Sequence, residues 1–321
     1  MKPVAAYMRR LLFVLVTLAP ALLSSGRTNE RSSPFRAVNC CDRKVLTVFP
    51  MEGDAIGIPL PFVPRILAFS PTGSALYAVP PRISAPGDTG ESSIVKIEFN
   101  PTRLTTLVES LNLSVVSFAV SMREDKIVIA GARREGGKRT CGLFEIKLPG
   151  GNARPILESQ NCGFRGPWWE LSLSPTGEQV VANTGAQLQL IDLVHGTVTF
   201  LPPEFSEGRW GAGAAWSPDG KWIAVLESRK RGRTFLLDAK DLSTRRILAR
   251  GYHRMTPVWS PDSRYLLRGK LQLRCGIGID VDPPYTLEMV SVESGKRAAI
   301  RSSRCKMDNG VAGWLSGDAI H

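Results

Sequence analysis

The chain has 321 residues, is 43% hydrophobic and carries a formal net charge of +12 at pH 7, a balance that favours anionic partners. Its histidines, His195, His253 and His321, are scattered, and none of the six cysteines stands in a CxxC pair. These spacings argue against a transition-metal site and call for no cofactor.

Taken in chain order, Met1 to Arg10 is a basic leader, Leu11 to Leu23 is an apolar stretch interrupted by Pro20, and Ser24-Ser25-Gly26 offers small residues before Arg27. Residues 1–26 therefore read as a secretory signal peptide. The apolar stretch is short for a membrane-spanning helix, which needs about 20 residues, and an uncleaved anchor is the alternative. The expected location is periplasmic or secreted, with no stable transmembrane segment after cleavage.

A phrase then returns along the chain: Phe69-Ser70-Pro71-Thr72-Gly73, Leu173-Ser174-Pro175-Thr176-Gly177, Trp216-Ser217-Pro218-Asp219-Gly220 and Trp259-Ser260-Pro261-Asp262-Ser263. Each copy precedes an alternating run such as Lys221-Trp222-Ile223-Ala224-Val225-Leu226 and reads as a β-hairpin turn. Pro presets φ at the second position, and Gly tolerates positive φ at the fourth. The Asp of two copies is Thr in the others, which suits a turn and not acid–base chemistry.

Pro175 and Pro218 are 43 residues apart, as are Pro218 and Pro261. Between Pro71 and Pro175 there is room for a hidden copy. Val116–Ser121, Arg123-Glu124-Asp125-Lys126 and Ile127–Ala130 supply its strand, turn and strand. Val311–Asp318 begins a sixth unit. A period of about 40 to 45 residues with four strands per unit specifies a β-propeller. The expected fold is all-β: a six-bladed β-propeller of four-stranded antiparallel blades spanning residues 65–321.

Only about two strands fit after Val311. The runs Lys44–Phe49 and Ala55–Leu60, within segment 27–64, are expected to complete the last blade and remove its open edge. A truncated chain with an open blade is the alternative.

The sequence Trp-Ser-Pro-Asp-Gly-Lys-Trp-Ile-Ala-Val at 216–225 resembles the repeat of TolB-like β-propellers, relatives of the WD-repeat class. The resemblance covers the chain from about Arg65 onward; it is strong at 216 and 259, fair at 69 and 173, and weak at 121 and 314. TolB proteins carry an additional N-terminal α/β domain, for which residues 27–64 are too few. The resemblance implies an envelope or extracellular setting and a non-catalytic scaffold that binds a protein or polymer.

In an exported chain, Cys40, Cys41, Cys141, Cys162, Cys275 and Cys305 are disulfide candidates. Cys141 with Cys162, in the second blade, and Cys275 with Cys305, in the fifth, occupy similar places and suggest bridges within a blade. Cys40 or Cys41 linked to the fifth or sixth blade would staple the N-terminal strands.

Basic clusters fall at Arg133-Arg134 with Lys138-Arg139, at Arg229-Lys230-Arg231 with Arg233, and at Arg245-Arg246. The first two are placed in equivalent loops between second and third strands, as one positive region for anionic polymer, lipid headgroups or an acidic protein surface. A merely solvated face is the other reading. Nothing in the sequence supports nucleic acid as a partner.

Binding residues are expected near the propeller axis: Arg65, Trp168, Trp169, Arg209, Trp210 and Arg254. No Gly-x-Ser-x-Gly elbow is present, and six blades leave no room for a hydrolase domain. Gly276–Asp282 lacks a phosphate-loop pattern and EF-hand spacing, although Asp280 and Asp282 could share a calcium ion. The alternative function is a small-substrate enzyme of lyase, glycosidase or cyclase type with its site at the channel mouth.

Overall fold

In the computed structural model, the described residues are 35–42, 45–49, 56–81, 92–135, 138–159, 170–183, 187–202, 205, 213–227, 232–242, 245–251, 256–271, 285–302, 311–316 and 318. All lie within the unit Ser33–His321. Among them, the strands form six four-stranded antiparallel sheets.

Blade 1 comprises β4 (Ile66–Phe69), β5 (Ala75–Val79), β6 (Ser92–Phe99) and β7 (Thr102–Leu111). Blade 2 comprises β8 (Ser114–Val120), β9 (Lys126–Glu135), β10 (Lys138–Lys147) and β11 (Arg154–Ser159). Blade 3 holds β12 (Leu171–Leu173), β13 (Gln179–Asn183), β14 (Leu188–Asp192) and β15 (Val198–Phe200). Blade 4 holds β16 (Ala214–Trp216), β17 (Trp222–Leu226), β18 (Arg233–Asp238) and β19 (Arg245–Arg250). Blade 5 holds β20 (Val258–Trp259), β21 (Tyr265–Leu271), β22 (Tyr285–Ser291) and β23 (Arg297–Ser302).

Blade 6 joins the two ends of the chain in the order β24 (Val311–Ser316), β1 (Phe35–Asp42), β2 (Val45–Phe49) and β3 (Ile56–Pro59). Closure by N-terminal strands is as expected, but the division is one C-terminal strand and three N-terminal ones. The additional strand β1 pairs with β24 from Phe35↔Ser316 to Cys40↔Val311. The first strands touch in the cyclic order β4, β8, β12, β16, β20, β24 and back to β4, so the ring is closed.

The core is divided among the junctions between blades. Leu46 and Leu315 of blade 6 meet Leu76 and Ile97 of blade 1; Tyr77 and Ile94 meet Ile127 and Phe144; Val128 and Leu143 meet Val180 and Ile191. The remaining junctions are filled in the same way, around Trp216, Trp259 and Trp314. The residue that opens each repeated phrase is thus a wedge against the preceding blade. Trp259 Nε1 donates to Ala215 O at 2.9 Å and Trp314 Nε1 to Val258 O at 3.2 Å, so these two indoles are satisfied as their rings are buried, whereas the buried Trp216 Nε1 makes no hydrogen bond among the described residues.

The serine of the phrase fixes its turn. Ser70, Ser121, Ser174, Ser217 and Ser260 are all buried. Ser217 Oγ accepts from Trp222 N at 2.9 Å and donates to Asp219 Oδ1 at 2.6 Å, and Ser260 does the same with Tyr265 and Asp262. The fourth position is left-handed in each of the five copies from blade 1 to blade 5: Gly73, Glu124, Gly177, Gly220 and Ser263 have φ of 74°, 54°, 71°, 72° and 58°. Glycine adopts that conformation freely, whereas Glu124 and Ser263 do so at a steric cost.

Candidate functional site

Antiparallel pairing places the start of each first strand level with the end of the second, as in Ser114↔Ala132 and Ala214↔Val225. One rim of the ring therefore carries the starts of the first strands and the hairpins between second and third strands. The opposite rim carries the Ser-Pro turns.

The turn rim is tied together from blade to blade. Ser316 N donates to Gly73 O at 2.8 Å, and Asp219 N donates to Ser263 Oγ at 2.9 Å. A Cβ at Gly177 would strike Lys126, and one at Gly220 would lie 3.5 Å from Pro175. Between blades 1 and 2, Glu124 is the shared acceptor. Ser70 Oγ donates to Oε1, as do Thr72 and Ser74 at 3.1 and 3.2 Å, while Tyr77 Oη and Lys96 Nζ donate to Oε2 at 2.6 and 3.0 Å. Burial pushes this carboxyl upward, but the hydrogen bonds from Ser70, Tyr77 and Lys96 and the Lys96 charge overcome it and hold it at about 2. Burial, reinforced by the Glu124 carboxylate, raises the Tyr77 phenol.

The first-strand rim carries a different chemistry. Glu170, Gly213 and Thr256 occupy one repeat position in blades 3, 4 and 5, each 43 residues from the next. Glu170 O and Gly213 O continue the first-strand pairing, accepting from Asn183 N at 3.0 Å and Leu226 N at 2.8 Å. Thr256 Oγ1 donates to Glu170 Oε2, joining blade 5 to blade 3 past blade 4. The glycine between them makes this possible: a Cβ on Gly213 would lie 2.5 Å from Thr256 Oγ1 and 2.8 Å from its Cα. Desolvation raises the Glu170 carboxyl, and the Thr256 hydroxyl only partly offsets it. The 43-residue period aligns these three positions, yet a Glu, Gly, Thr column has no motif to mark it.

Of the expected axial residues, Arg65 stands exposed at the start of β4, its N donating to Val79 O at 2.9 Å and its Nη2 to Ser92 Oγ at 3.0 Å. Trp168, Trp169, Arg209, Trp210 and Arg254 lie outside the described residues, as do Arg229, Lys230, Arg231, Asp280 and Asp282. Arg133, Arg134, Lys138 and Arg139 belong to the ordered hairpin β9–β10 rather than to a loop. Arg133 pairs with Glu158 at 3.0 Å, and Arg233 forms a two-pronged pair with Glu227 at 2.7 and 2.6 Å, so part of the expected basic surface is internally balanced. Arg246 Nη2 donates to Glu293 O at 2.9 Å.

In blade 5, the buried Arg268 binds Glu288 Oε2 through Nε and Nη2 at 3.0 and 2.6 Å and reaches Arg250 O of blade 4 at 3.2 Å. Cys141, buried in β10, is disulfide-bonded. Cys162, Cys275 and Cys305, and the side chains of Cys40 and Cys41, are outside the described set. Among the described residues, no group of three or more His, Cys, Asp or Glu is placed to hold a metal ion, and no helix is long and apolar enough to cross a membrane.

Solved structures share this arrangement. TolB from Acinetobacter baumannii superposes with a TM-score of 0.61 at 14% identity over 88% of this chain, which spans 66% of the length of that TolB. The chain has a TolB-like β-propeller fold. An oligogalacturonate lyase in complex with manganese matches with a TM-score of 0.56 at 13% identity, covering 83% of this chain and 73% of its own. A chain of a nidogen/laminin complex gives 0.55 at 12%, covering 88% and 99%. No protein-family model and no curated protein matches the sequence. At these identities, the TolB-like propeller is shared as a scaffold, and chemistry must be argued from the rims.

Proposed function

We propose that this chain is an exported, non-catalytic propeller that holds a protein or anionic polymer in the cell envelope or outside the cell, using its first-strand rim. The observation that carries the reading is the contrast between the rims. The turn rim uses its polar groups on neighbouring blades, whereas Arg65, Arg134 and Arg139 present exposed side chains on the other. Trp168, Trp169, Arg209, Trp210 and Arg254, expected near the axis from the sequence alone, would add aromatic and guanidinium contacts. Export rests on the leader at 1–26 and on cysteine usage, with Cys141–Cys162 and Cys275–Cys305 as the proposed bridges. The nidogen/laminin neighbour supports the reading to the extent that it, too, is a propeller found in a complex.

The test is affinity capture of the mature protein from envelope extract, comparing wild type with Arg65→Glu. A partner enriched by wild type and reduced by the variant supports the reading. Failure to enrich any partner above a scrambled-surface control contradicts it.

A second reading, a small-substrate enzyme of lyase, glycosidase or cyclase type, is favoured by one observation. The Glu170 carboxyl is raised toward the protonated form at the channel rim, as a general acid requires. Turnover of an acidic oligosaccharide that is abolished by Glu170→Gln, with the fold intact, would establish it over the scaffold reading.

A further inference from the structure

Each blade ends in an outer strand that, among the described residues, pairs on one side only. Natural sheets protect such edges by shortness, charge or proline. Most outer strands here follow that rule. Strand β3 has 4 residues and ends in Pro59, β11 carries Arg154, Pro155 and Glu158, and β15 has 3 residues. Strand β19 carries Arg246 and Arg250, and β23 carries Arg297 and Arg301. Strand β7 departs from it, with 10 residues, no proline and no charge from Leu104 to Val108. Thr102, Arg103, Leu104 and Thr106 are exposed, Leu104 by 49%. Phe200 and Ile247 are also exposed on outer strands, but Phe200 lies on the short β15 and Ile247 directly follows Arg246.

The hairpin fixes which backbone groups face outward. Only Asn100 and Pro101 separate β6 from β7, so Phe99 and Thr102 form the hydrogen-bonded closing pair. Hydrogen-bonding direction alternates along an antiparallel strand. Thr102, Leu104 and Thr106, opposite Phe99, Ile97 and Val95, therefore turn their amides and carbonyls to β6, and Arg103 and Thr105 turn theirs away from it. The regular edge stops at Thr106. Leu107 is an extra residue between the pairs Thr106↔Val95 and Val108↔Ile94, and its carbonyl accepts from Gly150 N of blade 2 at 3.1 Å.

The segment Thr102–Thr106 is complementary to itself in one register. With a two-fold axis at Leu104, Arg103 and Thr105 of each copy exchange amide and carbonyl bonds with Thr105 and Arg103 of the other, Thr102 lies opposite Thr106, and the two exposed leucines face each other. An axis at Arg103 would set like charges directly opposite one another, which is destabilising. An axis at Thr105 would leave only Leu104–Thr106 before the extra residue. Arg103 stands opposite Glu98 in its own sheet, so its charge has a counterpart without the second copy.

We propose that this chain forms a two-fold dimer by antiparallel pairing of Thr102–Thr106 with the same segment of a second copy, joining the two first blades into one continuous sheet. The first-strand rims, at the Leu111 end of β7, then point away from each other, so pairing leaves both open to other partners. A contact this short belongs to the weak class of protein interfaces, and the dimer forms in proportion to concentration. It stands independently of the binding partner proposed above.

Sedimentation equilibrium of the mature protein over rising concentration should show wild type passing from monomer to dimer. Thr105→Pro removes an outward amide without touching the ladder to β6, and Leu104→Lys places a cation on the axis. Each should weaken association about tenfold or more, with the fold checked by circular dichroism. Register is read by mild oxidation. Leu104→Cys brings two thiols within disulfide reach across the axis and yields a covalent dimer on a non-reducing gel, whereas Thr106→Cys, opposite Thr102 of the other copy, does not. A monomer at every concentration, a dimer that Thr105→Pro and Leu104→Lys leave unchanged, no covalent dimer from Leu104→Cys, or equal crosslinking from Thr106→Cys overturns the proposal.

Discussion

Glu124 provides a quantitative test of how the blades are held together. The perturbation is Glu124→Gln, which keeps size and turn position and removes the charge that Ser70, Tyr77 and Lys96 bind. The carboxyl lies at about 2 in the folded protein against an ordinary value of 4.5. At 1.36 kcal/mol per unit this corresponds to about 3 kcal/mol of stabilisation. With the side chain 18% exposed, solvent screening reduces this to about 2 kcal/mol. Because the folded value lies below the unfolded one, the contribution is complete above about pH 4.5 and is lost as the pH falls toward 2. Urea denaturation of wild type and variant across this range should give a difference of about 2 kcal/mol at pH 6, closing toward zero near pH 2.5. A difference that is absent at pH 6, or the same at both pH values, would mean that the ionised Glu124 carboxylate does not hold blades 1 and 2 together.

Other perturbations separate the remaining contacts. Arg268→Ala leaves Glu288 buried without its guanidinium and should cost about 3–5 kcal/mol in denaturant unfolding, with much of the loss recovered when Glu288 is also replaced by Ala. Glu170 has the opposite sign from Glu124. Its carboxyl is raised on folding, so its ionisation removes stability as the pH climbs above its unfolded value, and Glu170→Gln should raise the urea midpoint at pH 8 but not at pH 4. Gly313→Ala sets a methyl against the Phe69 ring where blade 6 meets blade 1. It should lower the thermal midpoint and speed hydrogen exchange in β1 and β24 before it does so in blade 3.

The blades were legible in the sequence because Ser-Pro turns and alternating strands are local signals that recur at one spacing. The hidden copy survived the loss of Pro and Gly because its strand pattern and its serine, Ser121, remain. Its departures have a physical cause: Glu124 occupies a glycine position because its carboxylate serves blade 1, and partners as remote in sequence as Ser70 and Lys96 leave no local trace. Strand β1 was missed because Phe35-Arg36-Ala37-Val38-Asn39-Cys40-Cys41-Asp42 has neither a turn phrase nor a clean alternation, and it forms against β24 at the other end of the chain. For the candidate site, the sequence signalled that Arg65 lies just before a first strand, as it does before β4, but carried no sign of the Glu170–Thr256 bond, which depends on ring geometry bringing alternate blades together.

Site-specific photocrosslinking in envelope extract distinguishes the two rims as binding surfaces. A photoreactive residue is placed at Arg65 or Lys138 on the first-strand rim, or at Gly196, in the turn between β14 and β15 on the opposite rim. One protein partner should crosslink from Arg65 and Lys138 and none from Gly196. Crosslinking from Gly196 with nothing from the other two would place the binding surface on the opposite rim and contradict the proposed function.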